Sequence, residues 1–230
     1  MADKPGRIEK SLASLLDNAG RLQGPAVEKY VARLRAAHPD DTPEQIVARL
    51  ESRFLAAVTG SGGAVGATAA VPGVGTVASF AAIGAESAFF LEAAALFTLG
   101  VAAVHGVPVD DHQQRRALVL SVVLGEAGME IVQHATGKRT AHWARALDGK
   151  VPAPVLRTMN NSLVRKFATK YAARRSALVL GKLVPAGIGA AIGGAGNRAI
   201  GKSIVRNSRD AFGPAPARWE RGAIEPEGLA

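Results

Sequence analysis

Apolar residues recur at three- and four-residue spacing along most of this chain, which predicts helices. Before residue 41 the apolar positions fit two short amphipathic helices, one with Ile8, Leu12, Leu15 and Leu16 and the next with Val27, Val31 and Leu34. Thr42 and Gln45 then form a capping box around Pro43, which stands at the first helical position. A helix is therefore predicted from Pro43 to about Val58, ended by the glycines at 60–63.

The remainder of the chain also predicts only helices. Pro72, Gly73 and Gly75 indicate a turn between two apolar helices, and Asp110 and Asp111 suit the first turn of a later one. The expected helices cover approximately 76–104, 108–135, 138–148, 155–173, 176–183 and 185–212. No run alternates with period two between turn signals, so no sheet is predicted.

The expected architecture is a single all-α domain of seven to nine helices, with Gly/Ala-rich central helices packed closely together. It covers residues 42–212, after the short helices of 1–41 and before a flexible tail at 213–230. Small residues at four-residue spacing, such as Gly62 with Gly66 and Gly189 with Gly193, suit this packing in water and in lipid alike.

Composition narrows the class of protein. The 230 residues include no cysteine, which excludes disulfides, thiolate zinc sites and cysteine nucleophiles. Lys4, Arg7 and Lys10 are not followed by an apolar segment, so no secretory signal peptide is expected and the chain should remain in the cytosol or on its membrane. No charged residue occurs from Phe54 to Ala85, a run long enough to span a bilayer but rich in glycine.

Charge is concentrated in the C-terminal half. Residues 138–209 carry 15 basic side chains against the single acidic Asp148, a net charge of +14. One apolar row, Met159, Leu163, Phe167 and Tyr171, is flanked by cations, which is typical of a helix lying in a membrane interface. The two basic rows are Arg165, Lys166, Lys170, Arg174 and Arg175, and then Arg198, Lys202, Arg206 and Arg209.

These rows predict a surface that docks on an anionic membrane, with Phe167 and Tyr171 inserted. A core helix with a solvated basic edge has the same pattern. Nonspecific nucleic-acid binding is the third interpretation, less favoured because base-stacking aromatics do not alternate with the cations. A protein partner and the oligomeric state are left open.

A second candidate site is acidic. Glu86 and Glu92 stand in an otherwise apolar helix, and a buried carboxylate needs a partner, for which Lys182 is the candidate. Together, these three residues indicate one of two things. They form either a polar contact that fixes helix register or the pocket of a hydrolase or small-ligand-binding protein. The common hydrolase signatures are absent, which favours a non-enzymatic protein, although catalytic triads need not be local.

Metal and nucleotide sites are not predicted. Glu126, Glu130 and His134 share one helix stripe but lack the Glu-x-x-His spacing and duplication of helical di-metal sites, so a solvated face is expected. The glycines at 60–66 follow a helix rather than a strand, and their spacing departs from the nucleotide-binding fingerprint. No cofactor is expected.

Two stretches resemble the EcsC family, and together they frame roughly residues 55–212. From Gly62 to Val109 there is a Gly/Ala-rich entry, then an apolar helix carrying an acidic residue, then an aliphatic-Gly turn before an Asp. From Leu180 to Asn197 a Lys-x-x-Pro leads to a glycine-rich helix and an Asn. The family has Asp-x-Pro where this chain has Glu86 without the proline. The resemblance implies a bacterial helical protein associated with membrane or transport systems, and it supplies no catalytic residues.

Overall fold

A computed structural model describes residues 26–68, 76–107, 111–147, 151–181 and 189–219, apart from the side chains of 65–84 and 171–192. These residues form helices without any strand, which confirms the all-α class. The helices are α1 (26–37), α2 (Pro43–Thr68), α3 (Thr76–Val104), α4 (His112–Leu124), α5 (Glu126–Thr136), α6 (Ala153–Gly181) and α7 (Gly189–Phe212). A 3₁₀ turn, Trp143–Leu147, lies between α5 and α6.

Helix α2 starts at the predicted capping box but ends later than predicted. The Gln45 amide donates to Thr42 Oγ1 at 3.3 Å, and the Thr42 amide donates to Gln45 Oε1 at 2.7 Å. The prediction that glycines 60–63 end the helix is wrong, because α2 continues through them to Thr68 and Gly62 packs against α7. A Cβ on Gly62 would lie 2.6 Å from both Asn197 Nδ2 and the Gly193 carbonyl oxygen of α7.

Helices α2, α3 and α7 pack together, with α2 antiparallel to the other two. Its first half contacts the end of α7, where Arg209 pairs with Glu51, and its second half contacts the beginning of α7 near Gly193. Phe54 of α2 stacks on Phe97 of α3 with ring centres 4.9 Å apart. Helix α1 joins the same core through three buried side chains, Val27, Val31 and Leu34.

Helix α4 connects the two halves of the fold, because it contacts α3 and α7 as well as α5 and α6. Its Asp111 N-cap accepts hydrogen bonds from the Gln113 and Gln114 amides. The predicted continuous helix at 108–135 is instead broken at Gly125, whose φ is +70°. Side chains from other helices bind the carbonyls near this break: Asn207 Nδ2 donates to Val122 O at 2.9 Å.

Helix α6 is continuous where two helices were predicted, at 155–173 and 176–183. The intervening alanines and arginines are good helix formers, so nothing interrupts the helix before Gly181. The short helix predicted at 138–148 is mostly wrong: residues 138–142 are not helical, and only Trp143–Leu147 forms the 3₁₀ turn.

The beginning of the predicted flexible tail is packed. Trp219 Nε1 donates to the Asp41 carbonyl at 3.2 Å, and the Arg35 guanidinium lies 3.9 Å from the centre of the Trp219 ring. Asp41 also pairs with Arg49, whose hydrogen bond holds the pKa of that carboxyl below its ordinary value. Residues 213–219 are therefore anchored to the loop between α1 and α2, while 220–230 lie outside the described residues.

Two neighbouring glycines of α2 provide a test of the close packing. Gly62→Ala should destabilise the protein by roughly 1–3 kcal/mol, because the added methyl group meets α7. Gly60→Ala is the matched control: a Cβ added there would have nothing within 4 Å, and the change should stabilise the helix by about 0.5–1 kcal/mol. Urea unfolding followed by circular dichroism measures both, and equal effects would contradict the packing.

Candidate functional site

The outer face of α7 presents three of the predicted docking residues. Arg198, Lys202 and Arg206 are all exposed and lie four residues apart, so their Cα atoms are spaced roughly 6 Å along the helix. None of them forms an ion pair with any acidic side chain among the described residues. We call this line of solvated positive charge the α7 basic row.

The α7 basic row faces outward because the opposite face of α7 is fixed against α2. Gly194 and Gly201 are buried there, and a Cβ on Gly201 would lie 3.0 Å from Leu55 Cδ2 of α2. Ile204 continues this buried face. The period of the helix then leaves the cations on the solvent side.

Arg209, the fourth predicted member of this row, has a different role. Its Nε donates to Glu51 Oε1 at 2.8 Å and its Nη2 donates to Glu51 Oε2 at 2.5 Å. Glu51 is buried, and hydrogen bonding to it raises the pKa of Arg209 further. Because the guanidinium is held by this carboxylate, Arg209 joins α7 to α2 rather than serving as a free surface charge.

The basic residues of α6 that were predicted to dock on a membrane also differ in their roles. Arg165 and Lys166 are exposed. Lys170 is also exposed, but its Nζ donates to the Leu124 carbonyl at 3.3 Å, so it closes the end of α4. The side chains of Arg174 and Arg175 lie outside the described residues.

The expected insertion of Phe167 into a membrane is wrong. Met159, Leu163 and Phe167 are buried in the hydrophobic core, with Phe167 only 8% exposed. The apolar row of α6 therefore packs against the protein interior, and α6 is a core helix with a solvated basic edge. The Tyr171 side chain lies outside the described residues.

The structure does not bring the predicted cluster of Glu86, Glu92 and Lys182 together as one described site. Glu86 is half-buried and accepts a hydrogen bond from Asn197 Nδ2 at 2.5 Å, whereas Glu92 is exposed. Lys182 lies outside the described residues. Asn197 Nδ2 also contacts the Val58 carbonyl at 3.0 Å, so one amide joins α2, α3 and α7.

The sequence alone did not identify Asn197 as the hydrogen-bond partner of Glu86. The two residues are 111 positions apart, and no local spacing relates them. The available signal was that a carboxylate in an apolar helix requires a hydrogen-bond donor, and an asparagine side chain is also a donor.

A groove of about 900 Å³ lies between α5 and the beginning of α6. Its apolar lining includes Ile131, Val155 and Met159, and its polar lining includes Glu130, His134 and Arg139. Glu126, Glu130 and His134 are exposed or half-exposed, in keeping with the solvated face that the sequence predicted. Within the described part of the chain, no three acidic or histidine side chains are grouped to hold a metal ion.

One described segment, Ala85–Val104 of α3, is apolar and long enough to cross a membrane. However, 56% of its apolar window is buried inside the fold. The uncharged run Phe54–Ala85 does not form a single span, because it is divided between the antiparallel helices α2 and α3.

Comparisons with protein-family models, curated proteins and solved structures found no match.

Substitutions at two arginines one turn apart on α7 test which charge stabilises the fold and which is only solvated. Arg209→Gln should lower the free energy of unfolding by roughly 1–3 kcal/mol, because Glu51 stays buried without its cation. Arg206→Gln should change it by less than about 0.5 kcal/mol, since that side chain is solvated. Urea unfolding near neutral pH measures both, and similar losses in the two variants would contradict these roles.

Proposed function

We propose that this protein docks peripherally on an anionic membrane surface, at the cytoplasmic face, as a non-enzymatic accessory protein. The observation that carries the proposal is the α7 basic row, three exposed cations in line without an acidic side chain paired to them among the described residues. Arg165 and Lys166 on α6 add to the positive field of this half of the chain.

The α7 basic row supplies part of the free energy needed for reversible docking. Each cation near an anionic bilayer contributes on the order of 1 kcal/mol, so the three residues of the row contribute about 3 kcal/mol together. Salt screens such exposed charges, with a Debye length of about 10 Å at 0.1 M. Binding should therefore be stronger at low salt than at high salt.

The neighbours of the α7 basic row favour lipid over nucleic acid. The exposed positions beside it, Ala195, Gly196 and Ala199, carry no aromatic ring on which a base could stack. Phosphate contacts alone would still support nonspecific nucleic-acid binding, so duplex DNA belongs in the test as a competing ligand.

The resemblance to the EcsC family supports the same proposal. The resembling segments contain Glu86 and Asn197, which meet in the fold. The association with membranes that this resemblance implies accords with the exposed α7 basic row.

Charge reversal tests the docking surface. Lys202→Glu with Arg206→Glu should weaken binding to vesicles of phosphatidylcholine and phosphatidylglycerol by at least about 30-fold, since two attractions become repulsions. The matched control is Lys29→Glu with Arg33→Glu, an exposed pair of equal spacing on α1 that gives the same change in net charge. Cosedimentation with vesicles at low and high salt measures all three proteins.

The control separates local docking from overall charge. Equal weakening by the two pairs would show that only net charge matters and would contradict a docking face on α7. Binding of the wild-type protein to duplex DNA but not to anionic vesicles would replace the proposal with nucleic-acid binding.

A further inference from the structure

The groove between α5 and the beginning of α6 has the size and the apolar base of a small-ligand site. Its volume of about 900 Å³ lies within the range of roughly 300–1,000 Å³ that such sites occupy. Met159, the most deeply buried of its lining side chains, is 1% exposed, and Ile131 and Val155 are half-buried. A ligand in this groove would therefore cover apolar side chains of both helices.

The groove is elongated, because α5 and α6 lie side by side and run in opposite directions. Lys170, in the second half of α6, donates to the Leu124 carbonyl just before α5. At the other end, Pro154 near the start of α6 and Gly137 just after α5 both line the groove. The lining on α6 extends from Pro154 to Ser162, which is about 12 Å along a helix. The groove can therefore hold a ligand in an extended form.

The two ends of the groove carry opposite charges. Glu130 of α5 lies towards the Ser162 end, and Arg139, which follows α5 in the chain, lies towards the Pro154 end. Both charged side chains are exposed, and neither forms an ion pair with another side chain in the described ranges. A ligand with a cation at one end and an anion at the other would meet complementary charges.

Hydrogen-bonding groups lie between the charged ends, beside the apolar base. The Thr158 hydroxyl donates to the Pro154 carbonyl at 3.1 Å, and the Ser162 hydroxyl donates to the Thr158 carbonyl at 3.1 Å. Both hydroxyl oxygens keep lone pairs that can accept from a ligand N–H, and Gln133 of α5 adds an amide that donates and accepts. The groove thus offers partners to a ligand that has N–H and C=O groups along an apolar body.

We propose that this groove binds a short apolar peptide of about three residues in extended form, with its ammonium group towards Glu130 and its carboxylate towards Arg139. An extended tripeptide is roughly 10 Å long, and the two charged side chains reach over the remaining distance. Its apolar side chains cover Ile131, Val155 and Met159. The inference does not depend on membrane docking, because the α7 basic row lies on another helix.

A fatty acid fits the groove less well than a peptide does. Its single carboxylate suits Arg139, but its hydrocarbon chain would cover Glu130 and the two hydroxyls without replacing their hydrogen bonds to water. A helix of a partner protein also leaves these acceptors unmatched, because its own carbonyls already accept from its backbone N–H groups. Complementarity therefore selects an extended peptide with free ends.

Titration calorimetry of the full chain with trileucine tests the ligand class. We expect a dissociation constant below about 1 mM. Acetylation of the amino terminus or amidation of the carboxyl terminus should each weaken binding roughly threefold to fivefold, because an exposed ion pair contributes modestly. Equal binding of the free and blocked peptides would overturn the inference. Binding of decanoate without binding of trileucine would overturn it too, and so would a trileucine dissociation constant above about 1 mM.

Variants without charge test the orientation of the peptide. Arg139→Gln should weaken binding of free trileucine roughly threefold to fivefold and leave binding of the amidated peptide unchanged. Glu130→Gln should have the same effect on the free peptide and none on the acetylated one. The matched controls are Arg145→Gln and Glu126→Gln, since both side chains are exposed and lie outside the groove lining. Equal losses in the variants and their controls would contradict the proposed contacts.

Filling the groove provides an independent measurement. Thr158→Trp places an indole ring in the groove and should remove measurable binding of trileucine. Asn161→Trp is the control, because that side chain is exposed on another face of α6 and does not line the groove. Equal binding by the two tryptophan variants would overturn the inference. If Thr158→Trp fails to fold by circular dichroism, the blocked peptides and the glutamine variants decide.

Discussion

The close approach of α2 and α7 at their glycines is the constraint on which the rest of the fold depends. Gly62 leaves no room for a methyl group against Asn197 and Gly193, and a Cβ added to Gly194 would lie 3.3 Å from the Thr59 carbonyl oxygen. Helices whose contacts are made by larger side chains usually stand about 8–10 Å apart, and small residues allow a closer approach. This contact aligns α7 with α2 along its length.

The alignment determines which polar groups find partners. It brings Asn197 to the Val58 carbonyl and to Glu86, and it brings Arg209 to Glu51 at the other end of the same helix pair. A carboxylate left in an apolar interface without such a donor would cost free energy. The glycine packing and these polar contacts therefore stabilise the same arrangement of α2, α3 and α7.

Local signals in the sequence predicted some helix termini correctly, but they predicted the roles of glycines poorly. The capping box of Thr42 and Gln45 and the end of α3 before His105 are set by neighbouring residues, and both are where they were predicted. Gly60 and Gly125 show the difficulty. The first lies inside a continuous helix, and the second breaks one with a positive φ, because Asn207 and Lys170 bind carbonyls at that break. The candidate site shows the same limit: Arg206 and Arg209 belong to one basic row in the sequence, yet only Arg209 has a buried carboxylate within reach, on a helix more than a hundred residues away.

The excess positive charge in the C-terminal half opposes folding by self-repulsion. Contacts inside the fold relieve part of it, since Arg209 is paired with Glu51 and Lys170 lies against the Leu124 carbonyl. Arg198, Lys202 and Arg206 have no such relief among the described residues, and they lie on one exposed line. The repulsion among these three cations therefore remains in the folded protein, where dissolved salt screens it.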